Sequence, residues 1–284
     1  MDTESQTFGL KDGRLLGYAE WGDPDGIPVF FFHGTPGSRI LTRAFDAAAR
    51  DKGFRLIGVD RPGYGLSTLQ EGRTLLDFPS DLVQLADHLE LNTFHAIGGS
   101  GGGPYVLVCA YALPERVLSG LVMCGVGPAE AWDEGMRQTM MGAANNPEAS
   151  SQQLEMFTEL LRTDRAGVLK MVVSNVPDRF RPTAEAHPEI VEAYIEHTVE
   201  ALRQGTRALL HEQQLVVQPW GFDLGAISPP IGFWCGEKDG LLPDARWMAK
   251  KLPGSKLKIE KEAGHIDGLW ITDEILNLIE LPKG

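Results

Sequence analysis

The sequence predicts an α/β protein: a mainly parallel sheet of eight strands flanked by helices and interrupted once by an all-helical insertion. Two observations carry this. Short apolar runs bounded by turn residues alternate with helical periodicity up to about residue 127 and again from about residue 229. Between them, residues 129–222 hold helix-like spacing and no convincing strand. Strict strand–helix alternation builds parallel sheets, with helices covering both faces.

Residues 7–10 and 15–20 flank Asp12-Gly13, a hairpin signal because Asp-Gly tolerates the positive φ of a tight turn. After Asp23-Pro24-Asp25-Gly26, the run Val29-Phe30-Phe31-Phe32 is continuously apolar, as in a strand buried on both faces. His33-Gly34-Thr35-Pro36-Gly37-Ser38 ends it. A helix over 41–52 leads to a strand at 55–59. The loop Asp60-Arg61-Pro62-Gly63-Tyr64-Gly65-Leu66-Ser67 follows, its turns set by Pro and two Gly.

Leu82, Leu85, Ala86 and Leu89 recur at three and four residues, one face of a helix with Ser80 or Asp81 as its cap. Strands at 93–97 and 117–124 enclose a helix over 105–111 that Pro114 stops. Beyond the insertion, strands at 231–235 and 256–260 alternate with helices at 244–251 and 272–281. The division expected is a core of residues 1–128 and 223–284 with a helical cap over 129–222.

Composition narrows the function classes. A chain of 284 residues with 43% hydrophobic residues can bury a sizeable core. A net charge of −13 disfavours nucleic acid and anionic membranes, since no basic stripe is available to neutralise phosphates. The polar N-terminus does not read as a signal peptide, and no apolar run is long enough to span a bilayer, so a cytoplasmic location is expected. Cys109, Cys124 and Cys235 fall within apolar runs without paired spacing, which argues for buried reduced thiols. No His/Cys cluster has zinc-like spacing, and neither a metal nor a cofactor is expected. The expected partner is a small-molecule substrate, and homo-oligomerisation is left open.

The junction between the strand at 93–97 and the helix after it reads Gly98-Gly99-Ser100-Gly101-Gly102, a G-x-S-x-G pattern. A serine at such a sharp turn needs small neighbours two residues away on either side, so that strand and helix can approach. The turn leaves the Gly101 N–H unpaired at the start of a helix, a candidate oxyanion donor. The competing explanation is a glycine-rich turn that only permits close packing.

Taken together, His33-Gly34, the Asp60–Ser67 loop, the Ser100 turn, Gly236-Glu237-Lys238-Asp239 after a strand, and Gly264-His265 near the end resemble, in that order, the α/β-hydrolase superfamily. The likeness covers about residues 7–127 and 229–281. It implies the α/β-hydrolase fold, Ser100 as nucleophile, Asp239 as acid and His265 as base. The chemistry asks for the same set. A serine hydroxyl needs an imidazole to accept its proton, and a carboxylate must hold that imidazole in the right tautomer. Glu130 is the rival acid, because some relatives place it after the preceding strand. Asp267 stands too close to His265 to curl back. The resemblance also implies the Thr35 N–H as second oxyanion donor beside Gly101, and a structural role for His33.

The Met and aromatic content of 129–222 suits an apolar, adaptable pocket, though ordinary packing explains it as well. Arg179 and Arg181 are candidates for a substrate carboxylate. The expected activity is a serine hydrolase cleaving a small, largely apolar carboxylic ester through an acyl-serine intermediate. The alternatives are a peptidase similar to proline iminopeptidases, a carbon–carbon hydrolase or perhydrolase with the same triad, and a small-molecule binding protein of hydrolase fold. Thr35 stands where the peptidases usually have a second glycine. Epoxide hydrolases and haloalkane dehalogenases resemble the chain but carry Asp at the turn.

Overall fold

Continuous apolar runs become central strands because both their faces are covered. The computed structural model describes residues 4–279. Among them, β1 (Gln6–Gly9), β2 (Leu15–Gly22), β3 (Ile27–Phe32), β4 (Phe54–Val59), β5 (Phe94–Gly99), β6 (Val117–Met123), β7 (Ile231–Gly236) and β8 (Lys256–Glu260) form one sheet ordered β1-β2-β4-β3-β5-β6-β7-β8. The β1–β2 and β2–β4 pairs are antiparallel and the other neighbours parallel. Gly13, at φ +88°, closes the expected hairpin.

The helices are α1 (Asp46–Asp51), α2 (Phe78–His88), α3 (Gly103–Ala112), α4 (Glu134–Asn145), α5 (Pro147–Thr163), α6 (Arg165–Asn175), α7 (Arg181–Ala186), α8 (Pro188–Ala201), α9 (Arg207–Val217), α10 (Leu242–Lys251) and α11 (Thr272–Leu276). β3 shows how the layers form. Its Val29 and Phe31 pack with Phe45, Ala48 and Ala49 on one face, while Phe30 and Phe32 pack with Phe78, Leu82 and α3 on the other. Each of these buried strand side chains contributes roughly 1.5–3 kcal/mol. No helix among the described residues is long and apolar enough to cross a membrane.

Three expectations about helix ends need correction. The helix expected over 41–52 starts as a 3-10 turn, Arg39–Phe45, before α1. That turn lies directly on β4, and the Asp60 carboxylate accepts the Arg39 N–H at 2.6 Å. α2 starts at Phe78, earlier than Ser80, after a 3-10 turn in which Asp77 Oδ2 accepts the Thr74 N–H at 2.7 Å. Asp81 is instead held by Arg14 through two bonds of 2.6 and 2.7 Å. The last helix ends at Leu276, five residues short of the expected 281, which lies outside the described residues.

From β3 the chain moves to β4 on one side, while β5 and everything after it add on the other. The carboxyl ends of β3 and β5 therefore flank the point where winding reverses, the usual place for a ligand crevice in open α/β sheets. Contact there is backbone on backbone. A methyl group on Gly102 would sit 2.1 Å from the Phe32 carbonyl oxygen, and one on Gly98 would sit 2.5 Å from the Gly102 oxygen.

Neither carbonyl can swing away without breaking the sheet or the helix. Gly102→Ala is therefore expected to destabilise the fold by roughly 3 kcal/mol, read as a lower urea midpoint. An unchanged midpoint would reject the close-approach account.

Candidate active site

Ser100 stands between β5 and α3 at φ +52°, a left-handed conformation that non-glycine residues rarely adopt. The turn projects it toward the loop after β3. A methyl on Gly34 would lie 3.3 Å from Ser100 Cβ, and one on Gly101 would lie 2.2 Å from Thr35 Oγ1 and 3.3 Å from the Thr35 nitrogen. The structure thus brings Thr35 and Gly101 together beside Ser100.

The loop holding Thr35 is braced from beneath. His33 is fully buried; its Nδ1 lies 2.8 Å from the Gly34 oxygen, and its Nε2 accepts the Arg61 N–H at 3.1 Å. Burial, and then the neighbouring Arg61 charge, push its pKa well below 6.5, so the ring is neutral. The Arg61 guanidinium donates to the His33 carbonyl, to Gly34 O at 3.2 Å and to Thr35 Oγ1 at 2.7 Å. His33 serves the loop, in line with the structural role expected of it.

Asp239 and His265 meet across the ends of β7 and β8. His265 Nδ1 lies 2.9 Å from Asp239 Oδ2, and Asp239 Oδ1 accepts the Leu241 N–H at 2.9 Å. Burial raises the Asp239 pKa, but hydrogen bonding to His265 and that group's charge outweigh it, leaving the carboxyl below its usual value. Glu130 is exposed on a 3-10 turn, and the ring nitrogen it would need belongs to Asp239. Asp267 turns away, accepting from the Gly264 N–H at 2.7 Å and Trp270 Nε1 at 2.9 Å.

Sequence reasoning left Cys124 among the inert thiols, and it is buried and free like Cys109 and Cys235. Yet its sulfur lies within 4.8 Å of ligand atoms of both Asp239 and His265. Hydrogen bonding with Cys235 and burial push its pKa far above the usual thiol range. A neutral thiol there is a weak donor toward the carboxylate, not the thiolate that metal binding requires.

Two cavities meet at Ser100. The larger, about 580 Å³, has Thr35, Ser100, Gly101 and His265 on one wall and Met140, Phe157 and Val216 of α4, α5 and α9 on another. The smaller, about 170 Å³, shares Thr35, Ser100, Phe157 and His265. Met140, Phe157 and Tyr194 thus line cavities, while Met156 and Met171 are exposed and Trp132 and Trp220 are packed inside. Arg179 pairs with Glu260 at 2.5 Å and Arg181 with Asp178 at 2.9 Å, which occupies both guanidinium groups.

Glu212 was not singled out from the sequence, since a single Glu in an amphipathic helix carries no visible signal. It is buried at the large cavity, accepting from Arg73 Nη2 at 2.8 Å and from the Tyr105 hydroxyl at 2.7 Å, with Arg61 Nε at 3.6 Å. Burial raises its pKa, but the Arg61 and Arg73 charges outweigh this and hold it below 4.5.

A family model described as the alpha/beta hydrolase fold matches residues 27–270. The chain is 29% identical over 267 residues to the dihydrolipoyllysine-residue acetyltransferase component of the acetoin cleaving system of Pseudomonas putida, covering 93% of this chain and 65% of that one. It is 34% identical over 112 residues to the proline iminopeptidase of Neisseria gonorrhoeae, covering 38% of this chain and 36% of that one. It therefore spans less than two thirds of the length of either relative. An alpha/beta hydrolase fold protein from Nakamurella multipartita superposes with a TM-score of 0.72 at 21% identity, over 97% of this chain and 98% of that one, a likeness of fold.

The buried charges yield a stability test. Arg73→Leu leaves the Glu212 carboxylate short of a counter-charge and should cost about 3–5 kcal/mol at pH 7 by urea unfolding, with Arg73→Leu/Glu212→Leu recovering much of it. Because the folded Glu212 titrates below 4.5, its contribution is complete above that pH and lost as pH falls through the folded value. Equal stability of wild type and Arg73→Leu would reject an ionised pair.

Proposed function

The chain belongs to the α/β-hydrolase fold family, and on that premise we propose that it is a serine hydrolase cleaving a small, largely apolar carboxylic ester through an acyl-Ser100 intermediate. The observation that carries this reading is the convergence, at one cavity, of a strained Ser100 with a His265 already hydrogen-bonded to Asp239.

In the proposed reaction, Ser100 Oγ attacks the ester carbonyl carbon while His265 takes its proton. Asp239 keeps the imidazole proton on Nδ1, leaving Nε2 as base, and stabilises the imidazolium that forms. The carbonyl oxygen gains negative charge, which the N–H groups of Thr35 and Gly101 receive. Collapse breaks the bond to the alcohol oxygen, which takes the proton from His265. Water, deprotonated by the same ring, then attacks the acyl-serine, releasing the acid and restoring Ser100. Residues 129–222 act as a cap, with α4, α5 and α9 supplying the apolar wall over a core of residues 1–128 and 223–284.

A second reading follows from the likeness to a proline iminopeptidase. An aminopeptidase needs a carboxylate free to take the substrate's ammonium group. Glu212 is the one carboxylate lining either cavity among the described residues, and Arg73 and Tyr105 already occupy it. This favours an uncharged ester over an amino-terminal peptide.

A fluorophosphonate probe should label wild type and not Ser100→Ala, and p-nitrophenyl esters should be hydrolysed in preference to prolyl arylamides. Turnover of amides alone would reverse the ranking, and absence of labelling would leave a binding protein. Asp239→Asn should lower kcat by about 10⁴-fold with the fold intact by circular dichroism. Near-normal turnover would remove Asp239 from the mechanism.

A further inference from the structure

The short segment after β6 is fastened to two parts of the site. Cys124, the residue that follows the strand, is 2% exposed and sits at φ +45°, a left-handed conformation as unusual for cysteine as that of Ser100 is for serine. Its N–H donates to the Trp234 carbonyl of β7 at 2.8 Å, and the Val126 N–H donates to the Ser100 carbonyl at 3.1 Å. Three consecutive residues are therefore fixed both to the strand that leads to Asp239 and to the turn that carries Ser100. Backbone strain persists where the surroundings over-determine it, and it clusters at functional sites.

The Cys124 sulfur, a carboxylate oxygen of Asp239 and a ring nitrogen of His265 all lie within 4.8 Å of one another. Counting hydrogens fixes which group donates. A carboxylate only accepts, and the Cys124 thiol stays protonated, so the hydrogen between sulfur and carboxylate belongs to Cys124. A thiol has one hydrogen, so between the two sulfurs Cys235 is the donor. The donors run from Cys235 to Cys124 to Asp239, whose oxygens also accept from the Leu241 N–H and face His265 Nδ1, each at 2.9 Å. Two further carboxyls stand around this group. Asp244 of α10, whose charge Asp239 feels, accepts the Gly127 N–H at 2.7 Å, and Asp267 is spent on Gly264 and Trp270.

We propose that Cys124 is a positioning residue for the acid: its thiol, backed by Cys235, holds the Asp239 carboxylate in place and draws off part of its negative charge. The consequence for the base rests on the serine-hydrolase reading, while the contact itself does not. A carboxylate that shares its charge with a further donor binds the imidazolium less tightly, which favours the ring in the form that accepts the Ser100 proton. A thiol is a weak donor, so the charge it removes is small. A hydroxyl would remove more and a methyl none. Cys124 lines neither cavity at Ser100 and acts only through Asp239.

The test follows the rate of fluorophosphonate labelling against pH for full-length wild type, Cys124→Ala and Cys124→Ser. Cys124→Ala removes the donor, so the rise of the rate with pH should move up by about half a unit, as a net hydrogen bond weaker than average implies. Cys124→Ser supplies a stronger donor from the same position and should move the rise down. A side chain that only filled space would act in the opposite sense. Its loss would loosen Asp239, weaken the hold on the imidazolium and move the Cys124→Ala rise down. A downward or absent shift in Cys124→Ala, or a rise in Cys124→Ser that is not lowered, would overturn the proposal, and the second variant decides alone if the first does not fold. Burial pushes the Asp244 carboxyl up to about 6, so the series is repeated in Asp244→Asn to set that titration apart. Absence of labelling in wild type removes the ester chemistry, and the contact is then judged by long-range proton–nitrogen NMR of the imidazole. The His265 Nδ1 resonance should move in opposite directions in the alanine and serine variants, and an unmoved resonance would overturn the contact.

Discussion

Everything at the site depends on one backbone contact, the approach of the Gly98–Gly102 turn to the carboxyl end of β3. Gly102 lies so near the Phe32 carbonyl that a single methyl would overlap it. That contact fixes where β5 hands over to α3, and with it the left-handed backbone of Ser100. It also sets Gly101 against Thr35, so two amides from distant parts of the chain share one small volume. Side chains at such a junction could adjust; peptide groups locked in a sheet and a helix cannot. The strain at Ser100 persists because the elements on either side leave the turn no other path.

The helical stretch between β6 and β7 is tied to this frame by charge as well as by apolar packing. Arg39 bridges Asp60 at the end of β4 and Glu200 of α8, each at 2.8 Å. Gln204 donates to the carbonyls of Gly65 and Ser67 at 2.8 Å. Glu212 of α9 joins Arg73 and Tyr105, so one carboxylate connects the wall of the large cavity to the core beneath it. These three anchors come from α8, α9 and the turn between them, and Arg179, between α6 and α7, adds a further one to Glu260 at the end of β8. α5, by contrast, exposes Met156, Phe157 and Leu160, and α6 exposes Met171.

The sheet was legible in the sequence because strand signals are local. Val29-Phe30-Phe31-Phe32 can be continuously apolar only if both faces are covered, and Asp12-Gly13 turns the chain through its own φ preference. The placement of Ser100, Asp239 and His265 on loops that follow strands was legible from their chain order, and the structure sets Asp239 and His265 2.9 Å apart. Helix ends were less legible. Asp81 has the composition of a cap, but an arginine 67 positions away takes its carboxylate. Cys124 was legible as a buried reduced thiol but not as a neighbour of Asp239 and His265, and Glu212 was not legible at all, because its partners are set by burial. A glutamate in an amphipathic helix looks alike whether it meets water or an arginine pair.

The brace beneath the Thr35 loop has a further consequence. A trans peptide is planar, with its carbonyl and its N–H pointing in opposite directions. Both His33 and Arg61 hold the carbonyl of Gly34, the same peptide unit whose other end is the N–H of Thr35. Gripping the oxygen therefore aims the hydrogen, as pulling one end of a lever sets the other. The cation also draws electron density toward that oxygen and makes the N–H a stronger donor. A side chain of the Asp60–Ser67 loop thus sets the direction and the strength of the Thr35 N–H through a single rigid plane of atoms.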